Sequence, residues 1–304
     1  MRRAISELLK ALYWPICRAY ACHFVGDKPA DSVYRFMCSL QFWMVNGFWP
    51  DFVQPRRFSE KLWSRMLHDR DPQLTLFSDK LRTRDYVAAK IGKDYLIPLI
   101  WKGDSADEIP FDQLPQRFVM KTNHGCGYTI IVRDKNRLNE AKARRQLKKW
   151  LAKNFCNDIY VGASWGYKNV KPCIIIEEFL EQNGIAPPDY KFWCFAGRVE
   201  IVSAHFDRFT GQKIRYFKRN LEQSELRIGP IPVPSGPIEV PQNYGAMLQI
   251  AECLAESFGF MRVDLYSHKN KVYFGELTPY AAGGLLKFHS VNLDFELGTK
   301  WKGR

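Results

Sequence analysis

Apolar positions along this chain fall into short runs that change period repeatedly. Residues 173–180 (CIIIEEFL) are continuously apolar up to Ile176, the pattern of a strand covered on both faces. Residues 117–132 (RFVMKTNHGCGYTIIV) predict a strand, a glycine-bearing turn and a second strand. Residues 189–206 (DYKFWCFAGRVEIVSAHF) predict a β-hairpin turning at Ala196-Gly197, and residues 261–279 (MRVDLYSHKNKVYFGELTP) a second one turning at Lys269-Asn270-Lys271. Helical spacing marks residues 137–155 as a basic amphipathic helix and 242–259 as an apolar one closed by Gly259. The stretch 229–242 (GPIPVPSGPIEVPQ) is too rich in Pro and Gly to be regular. Residues 1–55 are helical in pattern and aromatic. The sum is an α+β fold built mainly on antiparallel hairpins.

Composition narrows the picture modestly. With 304 residues, 46% hydrophobic and 25% charged, the chain can bury a core and divide into two or three packed subdomains. A formal net charge of +13 favours polyanionic partners: nucleotide, nucleic acid, acidic glycan or anionic lipid. The eight cysteines include no Cys-x-x-Cys pair, which argues against a zinc site. No signal peptide is visible, and the longest uncharged stretch, residues 36–50, is too short to span a bilayer. A reducing cytoplasm is the expected location. Arg2, Arg3, Lys10, Arg18 and Arg35 leave two roles open for residues 1–55: a cap on the main domain, or a segment lying on an anionic membrane at its inner face.

The second hairpin carries the most chemistry. A three-residue turn pairs His268 with Val272, sets Asp264 opposite Glu276, and sets Arg262 opposite Thr278, all four on one face. Two carboxylates at roughly 5 Å repel by about 3 kcal/mol at an effective dielectric near 20. A hard divalent cation with oxygen ligands would offset that cost, and Arg262 beside it would add a fixed charge for a phosphate. Solvated carboxylates on an exposed hairpin are the competing reading.

Three lysines emerge near apolar runs: Lys80 in FSDKLRTRDYV, Lys121 in FVMKTNHGCGY and Lys191 in DYKFW. A cation leaving a buried strand needs a partner, and a polyphosphate is a suitable one. The turn after Lys121 carries Gly125 and Gly127, which let backbone N–H groups approach an anion. Its spacing matches neither the P-loop nor the dinucleotide-binding glycine motif. At the end of the apolar strand, Glu177, Glu178, Phe179 and Leu180 could meet a purine edge and flank its ring. His124, His205 and His289 lack metal-like spacing. No nucleophile–base pair stands out, and no RNP-like or helix-turn-helix pattern points to nucleic acid.

Taken in order, SDKLRTRDYV, FVMKTNHGCGY, IIIEEFL, DYKFWCFAGRV, FMRVDLY and FGELTP resemble the ATP-grasp superfamily, with the succession seen in D-alanine–D-alanine ligase-like enzymes. FSEKLW, SWGYKNVKP and the glycine-bearing tail after ELTP look most like the TupA-like branch, found with cell-surface polysaccharide synthesis. The resemblance covers roughly residues 56–303. It implies two α+β subdomains clasping ATP after an N-terminal helical segment (1–55): a first part of the core (56–117), a lid (118–180) and a C-terminal subdomain with the metal site (181–304). It further implies that Lys80 and Lys121 hold the α- and β-phosphates while the Gly125–Gly127 turn closes over them. Glu177 to Leu180 would form the adenine hinge, and Asp189 would lie near the ribose. Lys191 would reach toward the γ-phosphate or acyl phosphate, Asp264, Glu276 and Thr278 would ligate one or two Mg²⁺, and Arg262 would stabilise the transferring phosphoryl group. Thr278 departs from the pattern, which has Asn there; a hydroxyl is the weaker metal ligand.

The activity so implied is ATP- and Mg-dependent ligation of a carboxylate to an amine through an acyl phosphate. The expected partners are an acidic glycan or other carboxylate, and an amine donor such as an amino acid or amino sugar. A sugar-kinase-like phosphotransferase using the same nucleotide site is the alternative enzyme. A non-catalytic module binding polyanions or membrane is the alternative from another class.

Overall fold

The computed structural model describes residues 32–157, 164–181, 186–206, 211–238 and 240–303. The expectations that fall on residues 1–31, including Arg2, Arg3, Lys10 and Arg18, lie outside the described residues.

Two antiparallel sheets organise the molecule. The smaller has the order β1-β4-β2-β3, with β1 Leu99–Gly103, β2 Phe118–Thr122, β3 Thr129–Val132 and β4 Ile174–Glu178. The larger has the order β7-β6-β5-β8-β9, with β5 Asp189–Phe195, β6 Arg198–Phe206, β7 Lys213–Lys218, β8 Phe260–His268 and β9 Lys271–Thr278. The hairpin at Ala196-Gly197 turns where the sequence predicts, both residues having positive φ (47° and 78°).

Strand alternation divides the larger sheet into two unlike faces. On one, Tyr190, Phe192, Val202, Met261, Val263 and Leu277 pack with Met247, Ile250, Ala251 and Leu254. Those four come from a helix over Tyr244–Ala255 (α6), which stops short of Gly259; the Gly259 carbonyl instead accepts from Ala196 N–H (3.0 Å). The opposite face is apolar only at one end. There Trp193, Phe195, Ile201 and Phe260 pack under Phe58, Leu62, Leu297 and Trp301. Phe58 alone meets the rings of Trp193, Phe195, Phe260, Phe288 and Trp301 at 4.8–6.0 Å.

The covering layer consists of α2 (Phe58–His68) and α7 (Val291–Lys300); the helix over Ser32–Asn46 is α1. FSEKLW is the staple that seats this layer. Ser59 donates from N and Oγ to the Asp294 carboxylate (2.9 and 2.6 Å). Glu60 accepts from the backbone of Asp51, Arg56 and Arg57 (3.0–3.1 Å), satisfying donors at the helix start. Lys61 donates to the carbonyls of Gly298 and Trp301 (2.8 and 2.9 Å). α1 and the following loop join this body through Phe42 and Phe52, whose rings meet Trp63.

In the smaller sheet, α5 (Glu140–Leu151) lays Ala143 and Leu147 against Phe118, Met120, Val132, Ile174 and Ile176. Alternation then turns Lys121 and Glu177 to the other side. No helix among the described residues is long and apolar enough to cross a membrane.

Candidate active site on the polar face of the larger sheet

Where the apolar cover ends, the face becomes polar, and strand register lines up one row across five strands. Tyr216, Ser203, Lys191, Asp264 and Glu276 are successive cross-strand partners. Asp264 faces Glu276, and Arg262 faces Thr278. The path to this register differs from the sequence expectation. The turn has two residues, Lys269 and Asn270, with φ of 49° and 58°. His268 therefore pairs with Lys271 and Ser267 with Val272, one residue out of the expected register. A β-bulge at Gly275, between the Leu265–Phe274 and Asp264–Glu276 pairs, restores it. A Cβ on Gly275 would sit 2.9 Å from the Tyr266 ring and 3.1 Å from the Asp264 carbonyl, so glycine is required where the strands crowd.

Asp264 is almost wholly buried (3% exposed), and both of its oxygens accept from cations. Arg262 forks onto it, Nε to Oδ1 (2.7 Å) and Nη2 to Oδ2 (2.8 Å). Lys191 Nζ donates to Asp264 Oδ2 and to Asp189 Oδ2, the latter at 2.6 Å. Arg262 Nη2 also donates to Thr278 Oγ1 (3.2 Å) and lies 3.7 Å from Glu276 Oε2. Burial alone would lower the Arg262 pKa, but Asp264, Glu276 and Asp189 outweigh it and raise the pKa above its ordinary value. Burial and Asp264 push Glu276 upward, yet Lys80, Arg262 and Lys191 together hold it below the usual carboxylate range. In the structure, then, the repulsion between the facing acids is offset by side chains.

Lys80 reaches this cluster from a different part of the chain. It follows α3 (Pro72–Ser78) and precedes α4 (Arg82–Ile91), and its Nζ lies 3.2 Å from Glu276 Oε1 and donates to the Gly125 carbonyl (2.6 Å). Asn123 pins the two segments together. Its Nδ2 donates to Asp79 Oδ1 (3.0 Å) and to the Lys171 carbonyl (2.9 Å), its Oδ1 accepts from Cys173 N–H (2.8 Å), and its carbonyl accepts from Lys80 N–H (2.9 Å). Gly125 and Gly127 both have positive φ (86° and 76°), and a Cβ at Gly125 would strike the Phe155 and Tyr128 rings at 2.8 and 2.9 Å.

Lys121 belongs to a second cluster, on the smaller sheet. Its Nζ lies 2.6 Å from Glu177 Oε2, while Arg84 on α4 donates from Nη1 to Glu177 Oε1 and from Nη2 to the Ile97 carbonyl (both 2.8 Å). Glu178 is exposed at the strand end, and its N–H donates to the Pro98 carbonyl (3.0 Å). Phe179 and Leu180 are buried, with the Arg133 guanidinium 5.7 Å from the Phe179 ring. The sequence pattern singles out neither Arg84 nor the bridging function of Asn123. His124 is structural: its Nε2 faces the carbonyls of Trp150 and Lys153 (both 3.1 Å), and burial lowers its pKa.

The donor set is of the kind a hard cation takes, although no group of three or more His, Cys, Asp or Glu among the described residues is placed to hold a metal ion. Asp264, Glu276 and Thr278 present oxygens only, and all three surround one point, now filled by the Arg262 Nη2 nitrogen. The polar end of this face thus brings together Lys80, Asp189, Lys191, Arg262, Asp264, Glu276 and Thr278, with Lys121, Glu177 and Arg84 grouped on the other sheet.

The fold is similar to that of several solved structures at low sequence identity. D-alanine–D-alanine ligase from Bacillus anthracis, complexed with ATP, is 14% identical (TM-score 0.42), with 76% of this chain and 69% of that one covered. The Helicobacter pylori D-alanine–D-alanine ligase is 14% identical (TM-score 0.41), covering 75% and 62%. An ADP complex of N5-carboxyaminoimidazole ribonucleotide synthetase is 13% identical (TM-score 0.41), covering 68% of this chain but only 46% of that one. Among curated proteins, none matches the sequence. The family model described as TupA-like ATPgrasp matches residues 60–302, and the chain belongs to that family.

Proposed function

We propose that the chain is an ATP- and Mg²⁺-dependent carboxylate–amine ligase. The observation that carries this reading is the row Lys191–Asp264–Glu276 with Arg262 beside it and Lys80 in contact with Glu276, cations and hard oxygen donors held in register on one polar face. A carboxylate is a poor electrophile because its charge repels nucleophiles. ATP would supply the phosphoryl group that makes it an acyl phosphate, and Mg²⁺ would neutralise phosphate charge. Asp264 and Glu276 would hold the ion, with Thr278 as a third oxygen. Lys80 and Lys121 would hold the inner phosphates and Lys191 the γ-phosphate, under the turn at Gly125 and Gly127. Glu177 to Leu180 would line the adenine pocket, with Asp189 toward the ribose. Arg262 would turn from Asp264 to the charge developing on the transferred group. The amine then attacks the acyl carbon, phosphate departs and one proton is lost to solvent. Most of this work is positioning and charge neutralisation.

The surplus positive charge suits an acidic glycan or its precursor as the carboxylate substrate, and with it a part in cell-surface polysaccharide synthesis on the cytoplasmic side. Exposed Phe36, Trp43 and Trp49 on α1 and its following loop, with Arg35 nearby, suit contact with the inner face of the membrane. The test is ADP release from ATP with candidate carboxylate and amine pairs, with hydroxylamine added to trap an acyl phosphate as a hydroxamate. Substrate-dependent ADP release with hydroxamate formation is expected. A phosphorylated hydroxyl product would make the protein a phosphotransferase instead, and no substrate-stimulated turnover with any carboxylate would remove the ligase reading.

A further inference from the structure

The polar row does not end at Lys191. Its next cross-strand partner is Ser203 on β6, and beyond Ser203 stands Tyr216 on the edge strand β7. Ser203 is 2% exposed, and among the described residues its hydroxyl has one hydrogen-bond partner, His205 Nε2 at 3.1 Å. His205 lies two residues further along β6, hence on the same face, and pairs across the ladder with Asp189. Its ring is held at the other nitrogen too, where Gln212 Nε2 lies 2.9 Å from Nδ1. As oriented, the Gln212 amide donates to Nδ1, so the neutral imidazole carries its proton on Nε2 and donates it to Ser203 Oγ. Ser203 thus accepts from His205 and keeps its own O–H hydrogen for another acceptor. A buried hydroxyl in that state is costly until an acceptor arrives.

The place of this hydroxyl along the row gives it a task. In-line phosphoryl transfer sets the attacking and leaving oxygens on opposite sides of phosphorus. On the ligase reading, Lys80, Glu276 and Asp264 mark the nucleotide side and Lys191 marks the transferred group. The attacking carboxylate then lies on the side of β6. Neighbouring strands are about 4.8 Å apart, so Ser203 stands one strand beyond Lys191, at the distance of a carboxylate whose other oxygen meets phosphorus.

We propose that Ser203 is a catalytic residue that donates to the non-attacking oxygen of the substrate carboxylate, and that His205 and Gln212 are positioning residues that aim it. This rests on the ligase reading and adds the group that serves the acyl side of the reaction. In the first step one carboxylate oxygen forms its bond to phosphorus as the bond from phosphorus to ADP breaks, the electron pair leaving with ADP. The other oxygen, held by Ser203, becomes the acyl carbonyl. When the amine adds to the acyl carbon, that same oxygen takes the negative charge until the bond to phosphate breaks. A donor fixed in place before the charge forms stabilises it without reorganisation.

The test uses the full chain with MgADP and acetyl phosphate, a small acyl phosphate, and follows ATP formation by the reverse of the first step. In that direction Ser203 stabilises the carboxylate as it leaves phosphorus. Ser203→Ala should lower kcat at least about tenfold, with the KM for MgADP and the melting temperature unchanged. His205→Phe should lower kcat less, and should add nothing in a Ser203→Ala background, since it acts through that hydroxyl. ATP formation by Ser203→Ala at the wild-type rate, a loss that appears in the KM for MgADP instead of kcat, or losses of the two variants that multiply would each overturn the proposal. A wild type that binds MgADP by calorimetry but forms no ATP would strike the ligase reading instead.

Discussion

The two sheets each bury a carboxylate between two cations, yet they assemble the arrangement in different ways. On the larger sheet, Asp264 is held by Arg262 two residues away on the same strand and by Lys191 directly across on the next. On the smaller sheet, Glu177 is held by Lys121 from a neighbouring strand and by Arg84 from a helix 93 residues earlier in sequence. The first cluster is a consequence of alternation and register. The second depends on how a helix docks. A site written in strand register is fixed once the sheet forms, whereas one that borrows a helix couples that helix to the sheet it touches.

Asp264→Asn should give the largest effect. It leaves Arg262 and Lys191 buried beside each other without their shared anion, and breaking a buried pair in this way costs about 3–5 kcal/mol. Urea denaturation should show that loss, and ADP release should fall to background. A variant as stable as the wild type would mean that the row tolerates unpaired charge. On the smaller sheet, Arg84→Ala should cost about 1.5–3 kcal/mol, the range for hydrogen bonds to charged groups. Combined with Glu177→Gln the losses should be less than additive, and additive losses would show that the two residues do not act as a pair.

A gentler change sharpens the comparison further. Because Arg262 Nη2 fills the point that Asp264, Glu276 and Thr278 surround, Arg262→Gln should raise affinity for Mn²⁺ in the absence of nucleotide. The expected gain is about tenfold by electron paramagnetic resonance, equivalent to about 1.4 kcal/mol. Unchanged Mn²⁺ affinity would mean that the guanidinium does not compete with a cation there. The smallest effect is on pH dependence. Burial lowers the pKa of His68, His124 and His268 below the ordinary value of 6.5. The unfolded chain therefore takes up protons first, so stability is full above about pH 6.5 and declines as pH falls below it. The melting temperature should follow that slope, and His124→Gln should make it shallower.

Much of the larger sheet's site is legible in the sequence, though partly through two compensating departures. A three-residue turn and an unbroken ladder predict the same facing pairs as a two-residue turn followed by a bulge. Lys269-Asn270 lacks the Asn-Gly signature that announces such a turn, because here two non-glycine residues adopt positive φ. The bulge does leave a trace, the lone Gly275 directly after the Val272-Tyr273-Phe274 run of good strand formers. Arg84 leaves none: in SDKLRTRDYV it is one basic residue among several, and only the docking of α4 selects it. Asn123 is similar, since its hydrogen bonds join segments far apart in sequence. FSEKLW is legible as a motif but not as a staple, because its partners Asp294, Gly298 and Trp301 are more than 200 residues away.

The central claim is that the facing acids of β8 and β9 take up the cation that accompanies a nucleotide. A crystal structure with Mg²⁺ and a non-hydrolysable ATP analogue tests it most directly. The account predicts Mg²⁺ at about 2.1 Å from oxygens of Asp264 and Glu276, Arg262 turned away from Asp264, and Lys80, Lys121 and Lys191 on the phosphates. Nucleotide bound elsewhere, with Arg262 still forked onto Asp264, would contradict it.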